Sequence, residues 1–140
     1  MGTKSIKAFL LFGLFLLMSS QSFGQVLKFH TLEATTCEAL EDGSWGEWTA
    51  AVDVKNAVVV NFDKAVITVA SSPKQVYDII EAEEQIKNED GDDFFTFICE
   101  DDEGDACRVV LSVMHSQGGR PLLTIEYDDV MLLYNMTYAK

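Results

Sequence analysis

Phe94-Phe95-Thr96-Phe97-Ile98-Cys99-Glu100-Asp101-Asp102-Glu103-Gly104-Asp105-Ala106-Cys107-Arg108-Val109-Val110-Leu111 is the stretch whose reading decides the fold. Two β-prone runs flank Asp102-Glu103-Gly104. This triplet reads as a three-residue hairpin loop in which Gly104 takes the left-handed conformation that other residues adopt at a cost. The loop sets a register. With Asp101 opposite Asp105, Cys99 falls opposite Cys107, Phe97 opposite Val109 and Phe95 opposite Leu111. Side chains alternate along a strand, so these residues share one face and make it apolar. The other face is mixed, with Thr96, Arg108 and Ser112 beside Phe94, Ile98 and Val110. Turn chemistry and hydrophobic pattern therefore agree on an antiparallel hairpin.

The same pattern extends in both directions. Val58, Val59, Val60 and Phe62 precede Asp63-Lys64, and Val66, Ile67, Thr68 and Val69 follow, which reads as a second hairpin. Ser71-Ser72-Pro73 breaks the run before Val76, Tyr77, Ile79 and Ile80 resume it. Further strands are expected over 107–115, 122–127 and 131–138, with Gly118-Gly119 as a turn before Pro121. The acidic segment 81–88 reads as the arm of one more hairpin, since one or two helical turns are marginal without tertiary packing. If Asp90-Gly91 is a two-residue turn, Ile86 opposes Phe95, and Glu84 points at the apolar face opposite Phe97. Either that register is wrong or Glu84 lines a cavity or an edge. Connections this short cannot hold parallel crossovers, so the expectation is an all-β antiparallel meander of seven or eight strands, closed as a small barrel or folded as a sandwich.

Residues 1–24 read as a secretory signal peptide. Lys4 and Lys7 precede an apolar run over 8–18 that is too short to span a bilayer, and Ser22 and Gly24 supply the small residues a signal peptidase needs. Cleavage before Gln25 leaves one domain over 25–140 and places it in the periplasm or outside the cell. The cut removes two lysines and leaves 8 basic against 23 acidic residues, moving the formal charge from −13 to −15. Such a field repels nucleic acid and anionic lipid, which bind through Lys and Arg patches. No later stretch is long and apolar enough for a transmembrane segment.

In an oxidising compartment the facing Cys99 and Cys107 are expected to form a disulfide, although their register is that of a hydrogen-bonded pair. Cys37 is then the odd thiol, with exchange of partners left open. No close ligand pair of the C-x2-C kind occurs, so neither a metal site nor a cofactor is expected. Carboxylates are the abundant reactive groups, clustered around Gly91 and Gly104. Neither cluster fits an EF-hand, because aligning each glycine with the sixth loop position puts Ile86 or Cys99 at the first. Ser116 follows His115, but strand neighbours point to opposite faces and form no nucleophile-base pair. Asn135-Met136-Thr137 matches a glycosylation sequon. Trp45, Trp48 and Tyr77 are the candidate binding contacts, with core packing as the competing role.

Trp45 and Trp48, Val76-Tyr77-Asp78-Ile79, the hairpin from Cys99 to Cys107 and Ile125-Glu126-Tyr127 together resemble short exported bacterial all-β proteins of uncharacterised function. That resemblance implies a β-fold and no activity. Gly43-Ser44-Trp45 also resembles the G-x-W near the first barrel strand of lipocalins. The expected function is that of a non-enzymatic secreted or periplasmic domain binding a protein or small ligand. The alternatives are a small hydrolase with carboxylates converging in three dimensions and a calcium-stabilised acidic surface protein.

Overall fold

The computed structural model describes residues 26–139. The expected signal peptide lies outside the described residues. Ten strands form, in chain order β1 (Val26–Glu38), β2 (Val52–Asp53), β3 (Ala57–Asn61), β4 (Val66–Val69), β5 (Gln75–Ala82), β6 (Ile86–Lys87), β7 (Asp93–Asp101), β8 (Ala106–Met114), β9 (Arg120–Glu126) and β10 (Val130–Tyr138). Eight of them pair antiparallel in the cycle β1, β3, β4, β5, β7, β8, β9, β10 and back to β1. The sheet is thus an up-and-down barrel, with β2 and β6 as short additions paired to β1 and β7. Closure satisfies edges that an open meander would leave unpaired.

The expected hairpin register holds at every position: Cys99 pairs with Cys107, Phe97 with Val109 and Phe95 with Leu111. Gly104 sits at φ +83° in the loop, and the N–H of Asp101 donates to the Asp105 carbonyl at 2.9 Å. Barrel strands must coil, and two extra residues let them do so. The registers shift between Thr31 and Glu33 in β1 and between Ile79 and Glu81 in β5.

The interior is filled by side chains. Phe97, Ile67, Ile79, Leu111, Leu123 and Ile125 are each no more than 1% exposed, within one continuous apolar cluster. Burying each such side chain stabilises the fold by roughly 1.5–3 kcal/mol. Phe62 and Phe97 stack tilted, with centroids 6.1 Å apart. An eight-stranded barrel can hold either its own side chains or one small ligand; here the side chains occupy the axis. No helix among the described residues is long and apolar enough to cross a membrane.

One expectation is corrected. Cys99 and Cys107 face each other and are buried, but no disulfide joins them. They occupy a hydrogen-bonded pair, where the Cα atoms stand farther apart than in the alternate pair type, so register alone does not make a bond. Burial also pushes the Cys107 thiol up to about 11 and keeps its proton on. Around Gly91 the alternative left open is resolved, and the register of a two-residue turn is the wrong one. Ile86 pairs with Phe94 and Ala82 with Phe97, so Glu84 points to solvent. The turn there is longer than two residues, closed by the Asn88 N–H on the Asp92 carbonyl at 3.0 Å.

Candidate functional site

Strand direction alternates around the barrel, so the connections collect at two ends. One end carries the 83–92 connection and the 115–119 turn; the other carries the long connection after β1, residues 70–74, the 102–105 loop and the turn at 127–129. β7 runs from one to the other, ending in Asp93 and Asp101 about 26 Å apart.

At the first end the polar groups satisfy one another. Ser116 donates its backbone N–H to Asp92 Oδ1 at 2.8 Å and its hydroxyl to Oδ2 at 2.9 Å. Asn88 adds its amide at 3.3 Å. The Ser116 backbone donor, with the hydroxyl and amide donors outweighing desolvation, holds the Asp92 carboxyl below the usual range. Asp93 next to it takes Lys87 Nζ at 2.7 Å, His115 Nε2 at 3.0 Å and Gln85 Nε2 at 2.9 Å. Desolvation works against ionisation of Asp93, yet these donors together keep its pKa lowered. A serine, a histidine and two aspartates therefore lie close together without forming a relay. The Ser116 hydroxyl is bound to Asp92, a carboxylate made a weaker base by its own donors, and His115 Nε2 is turned to Asp93.

The second end is open. Residues 73–77 on one side and 101–103 with Tyr127 on the other enclose a cleft of about 360 Å³. Its floor is a polar network at the top of the core. The Tyr77 hydroxyl donates to Gln75 Oε1 at 2.6 Å, and Gln75 Nε2 donates to Tyr134 Oη at 3.0 Å and Ser71 Oγ at 2.9 Å. Tyr127 donates its hydroxyl to Asp101 Oδ2 at 2.7 Å, while the N–H groups of Glu103 and Asp105 donate to Oδ1. The Tyr127 hydroxyl first, then the two backbone donors, hold Asp101 below the ordinary carboxylate range. Burial pushes the Tyr77 and Tyr127 phenols up, so both remain donors.

Trp45 and Trp48 lie in the connection that begins at this same end. It leaves β1, where the Ala39 N–H meets the Asp129 carbonyl at 3.0 Å, and turns at Gly43. It then returns alongside β1 through Gly46 N–H to the Glu38 carbonyl and Thr49 N–H to the Thr36 carbonyl, each at 2.8 Å. Close approach explains Gly46: a Cβ there would stand 3.1 Å from the Glu38 carbonyl oxygen and 3.3 Å from Leu40 Cδ2. Beneath the ribbon Cys37 is buried, its thiol donating to the Gly46 carbonyl at 3.0 Å. Cys37 is thus covered by this loop and stands apart from the interior cluster and the other two sulfurs. Trp45 and Trp48 keep 36% and 45% of their surface exposed. Leu32, Leu40 and Val52, on β1 and its returning segment, are more than two-fifths exposed as well.

The three candidate contacts are therefore divided. Tyr77 is a core residue whose ring borders the cleft, whereas Trp45 and Trp48 stand outside on the ribbon. In the sequence Asp101 reads as part of the acidic cluster around Gly104 and Tyr127 as the aromatic end of a strand, with nothing to join them, and Gln75 carries no signal beyond its position after the Ser71-Ser72-Pro73 break. Among the described residues, no group of three or more His, Cys, Asp or Glu side chains is placed to hold a metal ion. Every carboxyl with a resolved shift, namely Asp42, Asp92, Asp93 and Asp101, is displaced downwards.

Comparison of the chain with protein-family models, curated proteins and solved structures finds no match. The lipocalin resemblance thus stays with Gly43-Ser44-Trp45, which lies in the loop after β1 and leaves Trp45 exposed beside a barrel with a filled axis.

Proposed function

We propose that the protein is a non-enzymatic binding domain of the periplasm or the extracellular space, and that it holds a protein partner on the ribbon after β1. The carrying observation is the distribution of exposed apolar side chains. Of the eight large hydrophobic residues left exposed among the described residues, five (Leu32, Leu40, Trp45, Trp48 and Val52) lie on the second half of β1 or the segment returning along it. Scattered exposed apolar residues are ordinary, but a concentration with two tryptophans is the composition of an interface core. The filled axis directs recognition to the outer surface. Glu41, Asp42, Glu47 and Asp53 rim the ribbon, so the fitting partner presents an apolar patch bordered by Lys or Arg.

The hydrolase and calcium readings lack comparable support, since among the described residues no group of three or more His, Cys, Asp or Glu converges on a metal-holding position. Affinity capture from the native envelope and culture medium, with the wild-type domain and a Trp45→Ala/Trp48→Ala variant side by side, tests the proposal. The expected result is a protein retained by the wild type and lost from the variant, with unchanged circular dichroism. Equal retention by both, or tryptophan emission unmoved by the retained protein, would remove the basis of the reading.

A further inference from the structure

The cleft between residues 73–77, 101–103 and Tyr127 stands apart from the tryptophan ribbon and has its own chemistry. We infer that it is a binding site for a small organic cation, an alkylammonium or guanidinium group on a short stem. Three features combine. At about 360 Å³ the cleft lies at the lower end of the range of small-molecule sites and is much larger than a bare ion needs. One tyrosine, Tyr127, is partly exposed in its wall, and the electron-rich face of an aromatic ring attracts a cation placed over it, whereas Tyr77, 4% exposed, lies beneath as a core residue. Asp101, Asp102 and Glu103 face Lys74 across the opening, which leaves an excess of negative charge in a concave space.

The arrangement favours a diffuse organic cation over a metal ion. Asp101 already takes donors on both oxygens, from Tyr127 and from the Glu103 and Asp105 backbone. It therefore contributes field and not direct coordination, consistent with the absence of any metal-holding group among the described residues. Asp102 and Glu103 are exposed and are the carboxylates available to receive N–H donors. The Gln75, Tyr77 and Tyr134 network below keeps the floor in place before any ligand arrives, so little ordering accompanies binding. The same chemistry could arrive as a free diamine or as a Lys or Arg side chain of a peptide.

The test is a titration of the isotope-labelled mature domain, at low ionic strength and near-neutral pH, followed through backbone amide chemical shifts. Cadaverine represents the free cation, N-acetyl-arginine methylamide the peptide side chain, and pentanediol the uncharged control. Saturable shifts confined to residues 73–77, 101–103 and 127 are expected with one or both cations and not with the diol. The better of the two cations identifies the source. Asp102→Asn/Glu103→Gln, which changes only exposed groups, should weaken binding by about tenfold, and Tyr127→Leu should do so through loss of the ring. Because Tyr127→Leu also removes the bond to Asp101, Tyr127→Phe is the companion: it keeps the ring and should keep most of the affinity. No saturable shift below about 10 mM cation would overturn the inference. So would equal shifts around residues 88–93, which would mark unspecific counterion attraction. Docking at the tryptophans is read by a different variant and stands or falls separately.

Discussion

The two ends of the barrel carry similar sequences and different surfaces. Each has a loop crowded with carboxylates around a glycine at positive φ, Gly91 at one end and Gly104 at the other. At the Gly91 end, the chain supplies its own partners: Ser116, Asn88, Lys87, His115 and Gln85 occupy Asp92 and Asp93. At the Gly104 end only Asp101 is engaged in this way, and Asp102 and Glu103 face solvent beside a cleft. An acidic turn is therefore sealed or available according to what the neighbouring turn brings to it, and its own composition does not decide which.

Phe97 tests whether the two ends share one rigid body. It is 1% exposed near the middle of β7. Phe97→Ala should lower the unfolding free energy by about 3–5 kcal/mol in a denaturant titration, with fluorescence and circular dichroism changing together. Separate transitions would mean that the ends fold independently and that the comparison has no common frame.

A substitution at each end sharpens the contrast. Asp92→Ala strands the Ser116 N–H and hydroxyl, so the melting temperature should fall by several degrees. Asp102→Ala, which removes an exposed carboxylate, should leave it nearly unchanged. Equal losses would show that the Gly104 end is structural as well. Melting temperature against pH gives a third measure. Folding lowers the pKa values of Asp92, Asp93 and Asp101, so their stabilisation is present above the unfolded carboxyl value and disappears as pH falls through the folded values. Stability should hold down to about pH 4 and decline below it, and Asp101→Asn should show a smaller decline. A curve that instead rises on acidification would reverse the assigned sign.

The smallest effect concerns the thiols near the Gly104 end. Cys107 keeps its proton to about 11, so an alkylating reagent near neutral pH should leave the native protein almost unlabelled and modify all three cysteines after denaturation. An intact mass two hydrogens lighter, with only one cysteine labelled under denaturing conditions, would restore the bridge expected from sequence.

How much was legible follows from where the signals were local. The hairpin from Phe94 to Leu111 could be read to the residue because Gly104 fixed the loop and the apolar alternation fixed the faces. β1, the longest strand, was not recognised, although Phe29 and Thr31 point inward as period two requires. Leu32 is the extra residue that shifts the phase, so Ala34 and Thr36 resume the inward positions against Tyr134 and Leu132. Barrel closure depends on that strand meeting β10, a pairing between distant parts of the chain that no local pattern encodes. The cleft was illegible for the same reason, since Gln75, Asp101 and Tyr127 come from β5, β7 and the turn after β9. Trp45 and Trp48 stay partly exposed, whereas Tyr77, equally aromatic, belongs to the interior because it alternates in phase with Ile79.

Everything above depends on β1 closing the barrel against β10 over a filled axis. Nuclear Overhauser contacts in the isotope-labelled mature domain test this seam directly. The account predicts cross-strand contacts between Ala34 and Tyr134 and between Thr36 and Leu132, as strong as those between Leu111 and Leu123 on the β8–β9 seam. A spectrum showing the β8–β9 contacts but none between β1 and β10 would mean an open sheet, and would contradict it.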